Sequence, residues 1–156
     1  SRGLGDVYKR QPAGLAARDS LRLEAGMPLF GNELTNDITP VEAGMGGMVA
    51  GALKNKTEFV GREALEKLDT SKVDRTLVGL SSSGRRAART GAELKAGETT
   101  VGVITSGQPS PTLGHPIALA YVDVDQAETG TELEADIRGK RYPFTVVETP
   151  FYRRES

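Results

Sequence analysis

The sequence predicts an α+β protein: short helices come first and a small antiparallel β-barrel follows. Three observations carry this expectation. The apolar period is helical before the polar stretch 69–75 and strand-like after it. Turn formers abound, with 19 Gly and 8 Pro, while large anchors are few, with 4 Phe, 4 Tyr and no Trp. The length of 156 residues gives room for one ordinary domain or two small ones.

The elements follow in order. Residues 1–11 (SRGLGDVYKRQ) have a texture unlike the rest and no amphipathic period, so they read as a leader of uncertain origin. A helix is expected over Pro12–Ala25: Pro12 suits a first turn, Leu and Ala fill the interior, and Gly26 ends it in a left-handed conformation. Leu21 and Ala25 supply its apolar stripe, with Glu24 away from the charged face. Residues 27–48 read as a long loop, and such loops are usually functional or disordered. Within it, Thr39 as N-cap and Pro40 behind it can open a short helix. GREALEKL, Gly61–Leu68, reads as a second helix with a Glu63–Lys67 pair.

Past the boundary at 69–75, five runs read as strands: 76–80, 99–105, 117–123, 131–137 and 141–147. In the last two, Leu133, Ala135 and Ile137, then Tyr142, Phe144 and Val146, alternate with outward-facing residues. Gly139-Lys140 is the expected turn between them. The tract Thr105–Gly114, with its Pro, Gly and hydroxyl residues, is a rigid turn serving as a structural corner or as a pocket wall.

Charge and composition exclude several classes. Lys+Arg number 20 against Asp+Glu 21, which argues against nucleic-acid binding driven by bulk charge. With no Cys and one His, disulfides, thiolate zinc sites and multi-histidine metal centres are excluded. No apolar run approaches the roughly 20 residues that cross a bilayer, so no membrane segment is expected.

The candidate chemistry is sparse. Arg18 and Arg22 share a helix face beside Asp19. That face is either solvated, with an i,i+3 ion pair, or it turns Arg22 into a pocket, where its fork of donors holds a carbonyl or carboxylate. Gly44-Met45-Gly46-Gly47 lacks a following Lys-Ser/Thr and precedes no obvious helix, so it is not a phosphate loop. Ser81–Ser83 have no nucleophile elbow around them, and His115 sits in a turn, so no catalytic triad is expected. Arg85, Arg86 and Arg89 form a basic loop, either a solvated tip or a docking patch for an acidic partner.

A family resemblance enters with longer stretches. GLAARDSLRLEAGMPLFGNEL (14–34), ITPVEAG (38–44), FVGREAL (59–65), TSGQPSPTLGHPIALAYV (105–122), GTELEADIRGKRYPFTVV (130–147) and TPF (149–151) together resemble the aminomethyltransferase of the glycine cleavage system, the T-protein family. The resemblance implies transfer of an aminomethyl carbon from the lipoyl arm of H-protein to tetrahydrofolate, giving methylenetetrahydrofolate and ammonia. It implies that residues 12–74 are the end of a mixed α/β folate-binding portion and 75–156 the C-terminal β-barrel. The arginine of the family's LRLE motif, which lines the pterin pocket, falls on Arg22.

Phe30 stands where many relatives have Tyr, and Gly47 where many have Trp, which implies a thinner pocket wall. The family's catalytic aspartate and pterin-binding glutamate belong to a portion that nothing here matches. The chain is therefore expected to be a fragment, inactive alone, with no catalytic residue of its own. The resemblance also implies a cytoplasmic protein in a bacterium or a mitochondrial-matrix protein in a eukaryote. An alternative is the folate-binding module of a dimethylglycine or sarcosine dehydrogenase. A relative used in iron–sulfur maintenance is disfavoured, because its cysteine signature is absent.

Overall fold

Strong helix formers build the first element, α1, over Leu15–Glu24. The structure, a computed structural model, describes residues 13–68 and 73–154; Pro12, the leader and most of the expected boundary lie outside them. The end of α1 is as expected: Gly26 has φ 67°, and the Gly26 and Met27 N–H groups bond back to the Leu23 and Arg22 carbonyls. The docking face differs. Leu21 is 65 % exposed, whereas Leu23 is fully buried and Glu24 is buried beside it. The helix lies on the barrel through its last turn alone, so one leucine decides the face.

The connection after α1 is mostly irregular. Its Thr39–Pro40 segment makes one turn rather than a helix, closed by a reciprocal cap. Glu42 N donates to Thr39 Oγ1, while Thr39 N donates to Glu42 Oε2 at 2.8 Å. The glycine-rich stretch departs from the expected loop, because Gly46–Asn55 is a helix, α2. Two glycines at its start hide a helix-forming run, and buried Val49 supplies the anchor that propensity lacks. A third helix, α3, spans Arg62–Glu66 within the expected segment.

Six strands then close into a barrel: β1 Arg75–Ser81, β2 Glu93–Ala96, β3 Thr99–Pro109, β4 Pro116–Asp123, β5 Glu132–Ile137 and β6 Lys140–Val147. Every pairing is antiparallel, in the order β1-β4-β3-β2-β5-β6 with β6 returning to β1. Closure removes exposed strand edges. Strand β2 is absent from the sequence expectation because four residues are too few to show a period. Strand β3 runs five residues, Thr105–Pro109, into the tract read as a turn. The β5–β6 turn is Arg138-Gly139, one residue earlier than expected, since Ile137 pairs with Lys140.

Leu94, Ile104, Leu133, Phe144 and Val146 fill the barrel with Ala118, Ala120 and Val122 of β4. Strand β4 is buried on both faces, which is why it reads as a continuous apolar run. Its outward residues Ile117 and Leu119 pack with Leu23 in a second cluster, completed by Leu77, Leu113 and Phe151. That cluster fixes α1 against the barrel and sets the place of Arg22.

Candidate functional site

A β-bulge builds one wall of the site. Ile104 pairs with Ala120 and Ser106 with Leu119, so Thr105 is the extra residue. Residues two apart on a strand share a face. The bulge breaks that rule and moves Ser106 from the core face to the face that carries Leu119 and α1. Thr105 is held in place by its Oγ1, which donates to the Leu119 carbonyl at 3.0 Å.

From the other side comes Arg22, whose side chain is 10 % exposed. Nε donates to Asp19 Oδ1 at 2.7 Å. Nη1 donates to Glu33 Oε2 at 3.0 Å and to the Met27 carbonyl at 3.3 Å. Nη2 donates to Ser106 Oγ at 2.7 Å. A guanidinium has five N–H donors, so one on Nη2 remains. Of the two alternatives for this helix face, the inward one describes Arg22: its guanidinium is not solvated but turned in, and the i,i+3 ion pair forms as well.

Glu33, fully buried, completes the support. Its Oε2 also accepts the Leu29 N–H at 2.8 Å, and its Oε1 has no partner among the described residues. The Tyr121 hydroxyl donates to the Glu33 carbonyl at 2.8 Å. Burial pushes the Tyr121 phenol up to about 12, with the Glu42 carboxylate adding to the shift.

Arg22, Asp19, Asn32 and Ser106 line a cavity of about 1180 Å³. Its rim carries Arg85, Arg86, Arg89 and Arg138, so the basic loop faces the same space as Arg22. Arg138 holds a left-handed backbone at φ 58°, in the tip of the β5–β6 hairpin. Phe30, 74 % exposed, and Gly47, in the first turn of α2, are not among the residues that line this cavity.

Ser81 Oγ and His115 Nδ1 lie 3.3 Å apart, and the same nitrogen faces the Pro116 carbonyl at 3.3 Å. No hydrogen bond between a carboxylate and the ring occurs among the described residues. No group of three or more His, Cys, Asp or Glu that could hold a metal occurs among the described residues. No helix there is long and apolar enough to cross a membrane.

The sequence singled out Arg22 and missed the residues that hold it. Glu33, Asn32 and Ser106 lie 11, 10 and 84 positions away, and no local spacing links them. The one available signal was the rigid 105–114 tract, for which corner and wall were both open. It is both: Ser106 to Pro109 line the cavity, and residues 110–115 form the corner.

Comparison with known proteins places these features in a family. The family model described as the glycine cleavage T-protein C-terminal barrel domain matches residues 75–153, and that described as the GCVT N-terminal domain matches residues 3–52. An aminomethyltransferase of Corynebacterium aurimucosum is 58 % identical over 152 residues, 97 % of this chain and 40 % of the relative. One from Cutibacterium acnes is 58 % identical over 143 residues, covering 92 % of this chain and 38 % of its own length. The crystal structure of the glycine cleavage system aminomethyltransferase T from Bartonella henselae matches with a TM-score of 0.81 and 39 % identity, covering 90 % of this chain and 39 % of that one. The chain thus spans about two fifths of the length of the curated relatives it matches. These relatives favour the aminomethyltransferase reading over the dimethylglycine or sarcosine dehydrogenase alternative. The order of elements, the closed barrel and the two family models agree: the chain belongs to the glycine cleavage T-protein family.

Proposed function

We propose that this chain is the part of a glycine cleavage aminomethyltransferase that closes one side of a tetrahydrofolate site. The inward Arg22 carries the reading, because it lines a cavity large enough for a folded cofactor of that size and has one N–H without a partner among the described residues. The residues fit the group: a polar floor around Arg22 suits a heterocycle edge, and the arginine rim suits carboxylates.

In this reading tetrahydrofolate supplies the nitrogens that accept the aminomethyl carbon, which is delivered by lipoylated H-protein with release of ammonia. The chain's own residues bind and orient. Arg22 donates to the polar edge of the pterin, Asp19 and Glu33 keep the guanidinium from rotating, and the barrel excludes water beneath it. No catalytic group is assigned here, so the 156-residue chain alone should give no aminomethyl transfer from lipoylated H-protein. Turnover by the purified chain would overturn this.

The direct test is Arg22→Ala in an aminomethyltransferase of full family length that carries this segment. Isothermal titration with tetrahydrofolate should show a loss of about 1–3 kcal/mol, the usual cost of deleting a charge-assisted donor from a buried polar contact. Unchanged affinity would remove Arg22 from the site.

A further inference from the structure

The Ser106 oxygen has little freedom. It accepts Arg22 Nη2 at 2.7 Å and Asn32 Nδ2 at 2.9 Å. Two donors occupy both lone pairs, so the hydroxyl proton takes the one tetrahedral direction left. No acceptor meets that proton among the described residues. Ser106 is 3 % exposed and lines the cavity. A buried donor without a partner costs free energy, and an acceptor brought by a ligand would remove that cost.

Asn32 is its mirror image. Its Nδ2 donates to Ser106 Oγ and, at 3.3 Å, to the Thr105 carbonyl, which spends both amide hydrogens. Its Oδ1 accepts nothing among the described residues. With the last N–H of Arg22, three open positions remain on the cavity-lining Ser106, Asn32 and Arg22: an O–H donor, a carbonyl acceptor and an N–H donor; the unpartnered Glu33 Oε1 belongs to a residue outside the cavity lining.

Charge decides what they recognise. Arg22 lies between Asp19 at 2.7 Å and Glu33 at 3.0 Å, so one cation and two anions sum to −1. Such a cluster repels a carboxylate, and the rim arginines, which have no ion-pair partner among the described residues, are the better anion site. A neutral group with a carbonyl oxygen beside an N–H satisfies all three positions at once.

We propose that Ser106 and Asn32, bonded to each other beside Arg22, recognise a neutral lactam edge. Ser106 donates to its oxygen and Asn32 Oδ1 accepts its N–H. This rests on the folate reading above and deepens it. Tetrahydrofolate presents such an edge in the lactam of its pterin ring, where the cis amide sets C=O and N–H side by side; the amide that joins aminobenzoate to glutamate is trans and points them apart. Two fragments separate the two groups: 6-methyltetrahydropterin has only the lactam, and p-aminobenzoylglutamate has only the trans amide.

The experiment titrates tetrahydrofolate and both fragments into the full-length protein carrying this chain, as the unsubstituted form, Ser106→Ala and Asn32→Ala, with folding checked by circular dichroism. Each variant should lose about tenfold in affinity for tetrahydrofolate and for 6-methyltetrahydropterin, the scale of one lost buried hydrogen bond, and keep p-aminobenzoylglutamate within about twofold. Equal loss on both fragments, loss on p-aminobenzoylglutamate alone, or no loss on either overturns the assignment, because a merely structural role does not discriminate between them. An unsubstituted protein that fails to bind tetrahydrofolate overturns the folate reading itself, and this assignment with it.

Discussion

Glu24 is a buried carboxylate that ties α1 to the corner after β3. It accepts from Ser110 Oγ, from the Thr112 N–H at 3.1 Å and from Thr112 Oγ1 at 2.8 Å. Burial alone pushes the carboxyl up, and these three donors together outweigh it, so its pKa lies below the ordinary value. The sign follows from linkage. A depressed folded-state pKa contributes stability above the unfolded value, and that contribution fades as pH falls through the folded one. Glu24→Gln should therefore destabilise the chain at neutral pH by about 1–3 kcal/mol, the cost of stranding buried donors. In urea unfolding the gap between variant and parent should narrow on acidification below about pH 4. The sequence placed Glu24 away from the charged face of α1, which is correct. That this other face meets a loop 86 residues away is not a local property.

Glycines show how the elements constrain one another. A Cβ on Gly107 would stand 2.2 Å from the Ala88 carbonyl oxygen, where the 82–92 connection crosses β3. Backbone cannot yield as a flexible side chain does, so Gly107→Ala should cost about 1–3 kcal/mol or more by overpacking. Gly51, inside α2, meets nothing within 4 Å, and Gly51→Ala should stabilise by about 0.4–1 kcal/mol. Melting curves of the two variants should shift in opposite directions. In sequence these two glycines look alike. The alternation of β5 and β6 was legible because each buries one face, as Leu133, Ala135, Phe144 and Val146 do. Strand β2, the bulge at Thr105 and helix α2 were not, because a partner strand or a packing anchor creates each of them.

At the scale of the whole chain, Leu23 is the apolar contact that couples helix to barrel, beside the Glu24 and Arg22 hydrogen bonds. Leu23 packs on Ile117 and Leu119, and Leu23→Ala should cost about 2–5 kcal/mol through lost burial and the cavity left behind. If α1 is seated mainly by this contact, the variant should also free Arg22 from Ser106. Limited trypsin digestion would then cut after Arg22 faster than in the parent, while the far-ultraviolet signal of the barrel persists. Cleavage after Arg22 at the parental rate would mean that the Glu24 hydrogen bonds hold the helix unaided.

The amino-acid sequence by itself determined the order of helices before strands, the barrel class, the kinship and the choice of Arg22. These rest on period, turn chemistry and contiguous motifs, all of which are written along the chain. Tertiary structure alone decided which leucine docks, that Ser106 leaves the core face, and that Glu33 and Ser106 meet the guanidinium beside Asp19. Those outcomes depend on surfaces distant in sequence meeting under close packing, and a single hydrogen-bond direction or bulge then reassigns a side chain from interior to site.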